Sequence, residues 1–128
     1  MLYKSTPTAR RKARQLALQG IYQWQMTQTS LAEIEAQLLE SRTSTKIDIP
    51  YFQDILKGVG EHVMGLDEKI QPSLDRPLQE VNPVERAIIR LAVYEFIYRM
   101  DIPYRVVIDE SLRLSKIFGA VDGFKYIN

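Results

Sequence analysis

The stretch from Asn82 to Arg99, NPVERAIIRLAVYEFIYR, carries apolar residues on every side of a helical wheel, so a helix formed there belongs in an interior. Both its ends are marked. Asn82 is a good N-cap, Pro83 suits the first helical position, and Glu85 stands three residues after the cap, as in a capping box. Met100-Asp101-Ile102-Pro103 then reads as a short turn. After it, VVIDESLRLSKIFG predicts a second helix folding back antiparallel on the first, with Gly119 as its C′ residue. The rest of the chain is expected to pack around this hairpin.

Upstream, PTARRKARQLALQGIYQWQM, from about Pro7 to Met26, has helical periodicity. At 100° per residue, Ala13, Leu16, Ala17, Gly20, Ile21 and Trp24 cluster on one side as a core stripe, and Gly20 allows another helix to approach closely. Arg11, Leu18 and Tyr22 share a different direction, with Arg14 beside them. This line reads as a basic end grading into an exposed aliphatic and aromatic patch. Ser30-Leu31-Ala32-Glu33 is a capping-box pattern opening a short helix to Glu40, and the polar stretch Ser41 to Lys46 reads as a flexible loop. A third helix begins near Pro50 with Phe52, Ile55, Leu56, Val59 and Val63 on one face. Gly58 and Gly60 weaken it by about 1 kcal/mol each unless close packing compensates. Leu66, Ile70 and Leu74 suggest a fourth helix, interrupted or kinked by Pro72 and stopped before Pro77, and Asp122 is placed to cap a last element.

No segment alternates as a strand would, and no internal repeat of fixed period appears, so the expected class is all-α. The natural grouping is one helical unit to about residue 48 and another from about 49 to 128, packed into one body without an independent linker. A chain of 128 residues with 45% hydrophobic content can bury a sizeable core. Without cysteine and with one histidine, it has neither a disulfide framework nor a Cys/His zinc site. No signal-peptide pattern and no membrane-length apolar run appear, so a cytoplasmic protein is the simplest reading.

The formal net charge is +1, yet Lys4, Arg10, Arg11, Lys12 and Arg14 place five positive charges and no acid in the first fourteen residues. That asymmetry points to an anionic partner for one end of the molecule. Guanidinium groups at a helix start can pair bidentately with phosphates, and the helix dipole adds to the attraction. The alternative is a solvated basic turn. Lys125 and Tyr126 form a charged and aromatic pair of the kind that single-stranded nucleic-acid recognition uses for phosphate contact and base stacking, although a tyrosine there also suits a core. Enzyme signatures are missing: there is no P-loop, nucleophile elbow or HExxH. His62 has no ligand-spaced neighbour and reads as structural or solvated. Asp109 with Arg105 or Arg113 reads as helix-surface pairing. No catalytic residue, metal or cofactor is expected.

Taken together, ARRKARQLALQGIYQWQ, NPVERAIIRLAVYEFIYRMDIPYRVVIDESLRLSKIFGA and DGFKYIN resemble the bacterial transcription antitermination factor family NusB, nearly end to end. The resemblance implies an all-α fold of two packed three-helix subdomains, here with the final helix cut short. It also implies a non-enzymatic protein that binds the boxA segment of nascent ribosomal or phage RNA as a heterodimer with the small-subunit ribosomal protein NusE. In that role it helps RNA polymerase ignore terminators. Carried onto this chain, the RNA contacts fall on Arg10, Arg11, Lys12, Arg14, Lys125 and Tyr126. The partner contacts fall on Tyr22, Glu85 and Asp122. Each partner residue also has a structural reading, Glu85 as a capping-box acid, Asp122 as an N-cap and Tyr22 as a rim aromatic. The family usually has a histidine where Phe124 stands, which implies a local difference at the RNA. A shortened last helix implies uncovered apolar surface, with reduced stability, self-association or an unseen tail. Two other readings compete: the RNA-binding domain of ribosomal-RNA cytosine methyltransferases, which this cysteine-free chain fits poorly, and a protein-binding helical adaptor whose basic end is solvated.

Overall fold

The computed structural model describes residues 5–42 and 46–119, with five α-helices: α1 (Pro7–Met26), α2 (Leu31–Ser41), α3 (Ile49–Ile70), α4 (Pro83–Tyr98) and α5 (Tyr104–Phe118). Two single-turn 3-10 segments, Gln71–Ser73 and Leu78–Glu80, join α3 to α4. No strand occurs among the described residues. Residues 43–45 of the expected loop lie outside the described residues, as do Asp122, Lys125 and Tyr126.

Local chemistry sets the helix starts. Thr6, Ser30, Asp48 and Asn82 each accept a backbone N–H from the first turn of the helix that follows. Asn82 Oδ1 takes two, from Val84 at 2.9 Å and Glu85 at 3.4 Å. Asn82 thus caps α4 by itself: among the described residues the Glu85 carboxylate makes no hydrogen bond back to it. Gly119 differs from its expected role. Its φ of −68° and ψ of −28° are helical, so α5 has no left-handed glycine stop there.

The separate fourth helix expected around Leu66–Leu74 is not formed. The apolar face of α3 continues unbroken to Ile70, and Pro72 enters a 3-10 turn, where its missing N–H costs nothing. Leu66 and Ile70 therefore extend the buried face of α3.

The core gathers Ala13, Ala17, Leu18 and Ile21 of α1, Phe52, Ile55, Leu56 and Val59 of α3, Ala87 and Leu91 of α4, and Val107 and Leu114 of α5. α1 lies across both α3 and α4, while α2 closes over α1 and α3. This double contact explains why Leu18 is buried, against the expectation of an exposed line: α1 has partners on two sides, so its buried sector is wider than one stripe. α4 departs in the opposite sense, since Phe96 and Tyr98 near its C-terminus are exposed. Glycines permit two of the closest approaches. A Cβ on Gly20 would lie 2.8 Å from a Leu56 methyl, and one on Gly58 would fall 2.2 Å from the Tyr94 ring.

Candidate nucleic-acid interface

The start of α1 concentrates the basic residues, and its first turn contains no acid of its own. Arg10 and Arg11 diverge by about 100°, while Arg14, one turn further along, shares Tyr51 with Arg10 and Glu110 with Arg11. Arg11 leans outward with its side chain 48% exposed. Its Nε donates to both carboxylate oxygens of Glu110 on α5, at 3.3 and 3.1 Å. Arg10 is partly covered: its Nε stands 3.8 Å from Asp48, and its guanidinium carbon lies 4.4 Å from the Tyr51 ring centre. Lys12 is half-buried.

Arg14 is placed elsewhere than a phosphate-contacting role requires. It is buried, its Nε donates to Glu95 at 2.8 Å, Nη2 donates to the Tyr51 hydroxyl at 3.4 Å, and Nη1 lies 3.7 Å from Glu110. The cause is the same two-sided burial of α1 that covers Leu18. Burial works against the charge of Arg14, but the attraction of Glu95, Tyr51 and Glu110 outweighs it and raises its pKa. Tyr51 also donates its hydroxyl to Glu95, and its pKa is driven upward by burial and by that carboxylate. Arg99, at the end of α4, sits 4.7 Å over the Tyr51 ring and pairs with Asp54 and Asp101.

Sequence reasoning missed Tyr51, Glu95 and Glu110 as parts of this site. Glu95 had a legible signal. A carboxylate in the middle of an interior helix requires a buried cation, and Arg14 on the flanking α1 supplies it. Glu110 had none, because its adjacent acid Asp109 is exposed and the pair looks like an ordinary helix surface. In the structure Glu110, not Asp109, turns inward to α1.

The three arginines line a cleft of about 550 Å³ with Asp101, Pro103 and Glu110. On another part of α1, half-buried Tyr22 lines a mostly apolar cleft of about 440 Å³ with Leu18, Met26, Val84 and Phe118. Glu85 lines an adjoining cleft of about 820 Å³, of mixed polar and apolar lining, with Arg86 and Gln79, and Met26 borders both. Tyr22 and Glu85 are thereby brought to neighbouring hollows. Among the described residues no group of acids and histidine is arranged to hold a metal, and His62 stacks on Tyr98 with ring centres 4.2 Å apart. No helix among them is long and apolar enough to cross a membrane.

An all-α bundle with this helix order is the fold of known transcription antitermination factors. The chain superposes with a TM-score of 0.81 on a chain of the crystal structure of antitermination factors NusB and NusE in complex with dsRNA, at 22% identity, covering 88% of this chain and 85% of that one. A NusB structure from T. maritima gives a TM-score of 0.74 at 28% identity, over 96% of this chain and 86% of that one. Curated relatives are nearer in sequence: the transcription antitermination protein NusB of Idiomarina loihiensis is 48% identical over 95% of this chain and 88% of its own length. That of Alcanivorax borkumensis is 51% identical over 97% of this chain and 83% of its own. The NusB family model matches residues 11–128, and the chain belongs to the NusB family. It is a family of antitermination factors and not of enzymes.

Proposed function

We propose that this protein binds boxA-type single-stranded RNA of nascent ribosomal transcripts together with a NusE-type ribosomal protein, in the cytoplasm, and so helps RNA polymerase read through terminators. The observation that carries this reading is the match to transcription antitermination proteins along nearly the whole chain. The geometry of α1 supports its RNA half. Arg11 offers an outward guanidinium, with Arg10 and Lys12 beside it at the positive end of a twenty-residue helix. Lys125 and Tyr126 are proposed as further RNA contacts. Arg14 serves this surface from beneath by fixing α1 to α4, and does not touch RNA.

The NusE-type partner is proposed to dock on Tyr22, Glu85 and Asp122. An aromatic beside an apolar hollow makes a good anchor, and acids complement a basic ribosomal protein. In isolation, the exposed line of Tyr104, Ile108 and Leu112 on α5 would favour self-association, which sedimentation at increasing concentration reads directly.

The deciding experiment titrates boxA-type RNA against the protein with and without the ribosomal partner. Weak binding alone and tighter binding with the partner are expected, and RNA should strengthen the protein pair by the same factor. RNA and partner binding independently of each other would sink the coupled reading. A duplex of the same sequence, run in parallel, separates recognition of single strands from recognition of backbone shape.

A further inference from the structure

Glu110 occupies an unusual place for an acid. It projects from α5 into the base of the basic cleft, with its side chain 9% exposed, and meets two arginines of α1. Arg14 holds the carboxylate from the interior side at 3.7 Å, and Arg14 is itself fixed by Glu95 and Tyr51. The carboxylate is therefore a rigid acceptor. Both of its oxygens take the Nε of Arg11, the edge of the guanidinium nearest the helix. The Nη groups at the far end have no acceptor among the described residues, and the side chain is half exposed.

We propose that Glu110 is a positioning residue for RNA binding: by holding Nε, it aims the Nη edge of Arg11 outward to take a phosphate of the bound strand. This rests on the reading above that Arg11 contacts RNA. A free surface arginine loses rotamer freedom when it docks, whereas one already held by Nε loses less. The end-on fork of the two Nη groups remains complete for bidentate contact.

Charge alone argues the opposite sign, which makes the idea decidable. Glu110→Gln raises the net charge by one, and by simple attraction it would tighten RNA binding. If Glu110 works by aiming Arg11, the same substitution weakens binding of a short fluorescent single-stranded RNA about three- to tenfold at fixed salt. In an Arg11→Ala background, Glu110→Gln should then cause no further loss. Glu110→Asp, which keeps the charge but withdraws the carboxylate by one methylene, should weaken binding as well. It carries the test should Glu110→Gln lose its helical signal.

Unchanged or tighter binding in a folded Glu110 variant overturns the proposal, as does an equal loss in the native and Arg11→Ala backgrounds. If Arg11→Ala itself binds as the native protein does, the RNA contact at Arg11 fails instead. A loss with Arg11→Ala but none with either Glu110 variant removes only the positioning role.

Discussion

Arg14 Nε and Glu95 Oε2 meet 2.8 Å apart with their side chains 3% and 1% exposed, joining α1 to α4 by an ion pair almost wholly out of water. Removing one partner leaves the other charged and buried, a larger loss than the net contribution of the pair. Glu95→Ala is expected to lower stability by about 3–5 kcal/mol in urea unfolding, while Arg14→Met combined with Glu95→Leu should recover most of it. A double variant as unstable as the single one would show that the pair itself, and not the stranded charge, holds the helices.

Gly58 sets a second test of packing. In an open helix Ala would be favoured over Gly by about 1 kcal/mol, but here the added methyl falls against the Tyr94 ring. Overpacking should win, with Gly58→Ala destabilising by about 1–3 kcal/mol. Placing the same substitution in a Tyr94→Ala background should erase or reverse the penalty, read as the difference between melting temperatures.

The tyrosines predict loss of stability in alkali. Burial and the hydrogen bond to Asp54 push Tyr94 up to about 12 from an ordinary value of 10.0, and Tyr51 is displaced in the same direction. Below pH of about 10 both folded and unfolded chains keep these protons, and the stabilisation is fully present. Above it, the unfolded chain ionises first and stability falls as pH rises toward 12. Urea midpoints measured across this window should decline steeply for the native protein and less so for Tyr94→Phe.

The RNA surface should show itself in salt dependence. Arg11→Ala is expected to weaken RNA binding and flatten the log–log salt slope by up to about 0.7 per lost phosphate contact. Arg14→Ala should act through loss of fold, because its guanidinium never reaches the surface. A well-folded Arg14→Ala protein with a flattened slope would contradict the buried assignment.

On the partner face, Tyr22→Asp places a carboxylate at the rim of an apolar hollow, and Glu85→Lys reverses a charge beside it. Each should weaken the NusE-type complex by more than about 2 kcal/mol in calorimetry, with little change in thermal melting. Normal affinity in both folded variants would remove the partner site from this face.

Two helix starts were legible because they are written in short-range chemistry: Ser30 with its acceptor oxygen, and Asn82 ahead of Pro83. Periodicity then placed Ala13, Ala17, Ile21, Phe52 and Ile55 in the core. What it missed depended on how many neighbours a helix has. A wheel drawn for α1 assumes one wet side, and α1 has α3 and α4 on two, which carried Leu18 and Arg14 inside. The same limit hid the Glu110 contact, since residues 99 apart in the chain share no local pattern. Leu74 and Pro72 misled in a simpler way, because a proline that ends a helix and one that kinks it look alike until the following backbone is seen.

The arginines at the start of α1 arrive already matched: Arg10 faces Asp48, Arg11 faces Glu110 and Arg14 faces Glu95. Beyond a Debye length of about 8 Å such pairs act as weak dipoles, so these arginines do little to draw a distant polyanion inward. The contribution of Arg10 and Arg11 begins only at contact, when a phosphate joins the carboxylate on the same guanidinium. Discrimination by these groups therefore falls on how long an RNA stays and not on how often one arrives. A poorly fitting strand is released readily, because Arg10 and Arg11 keep their internal partners when it leaves.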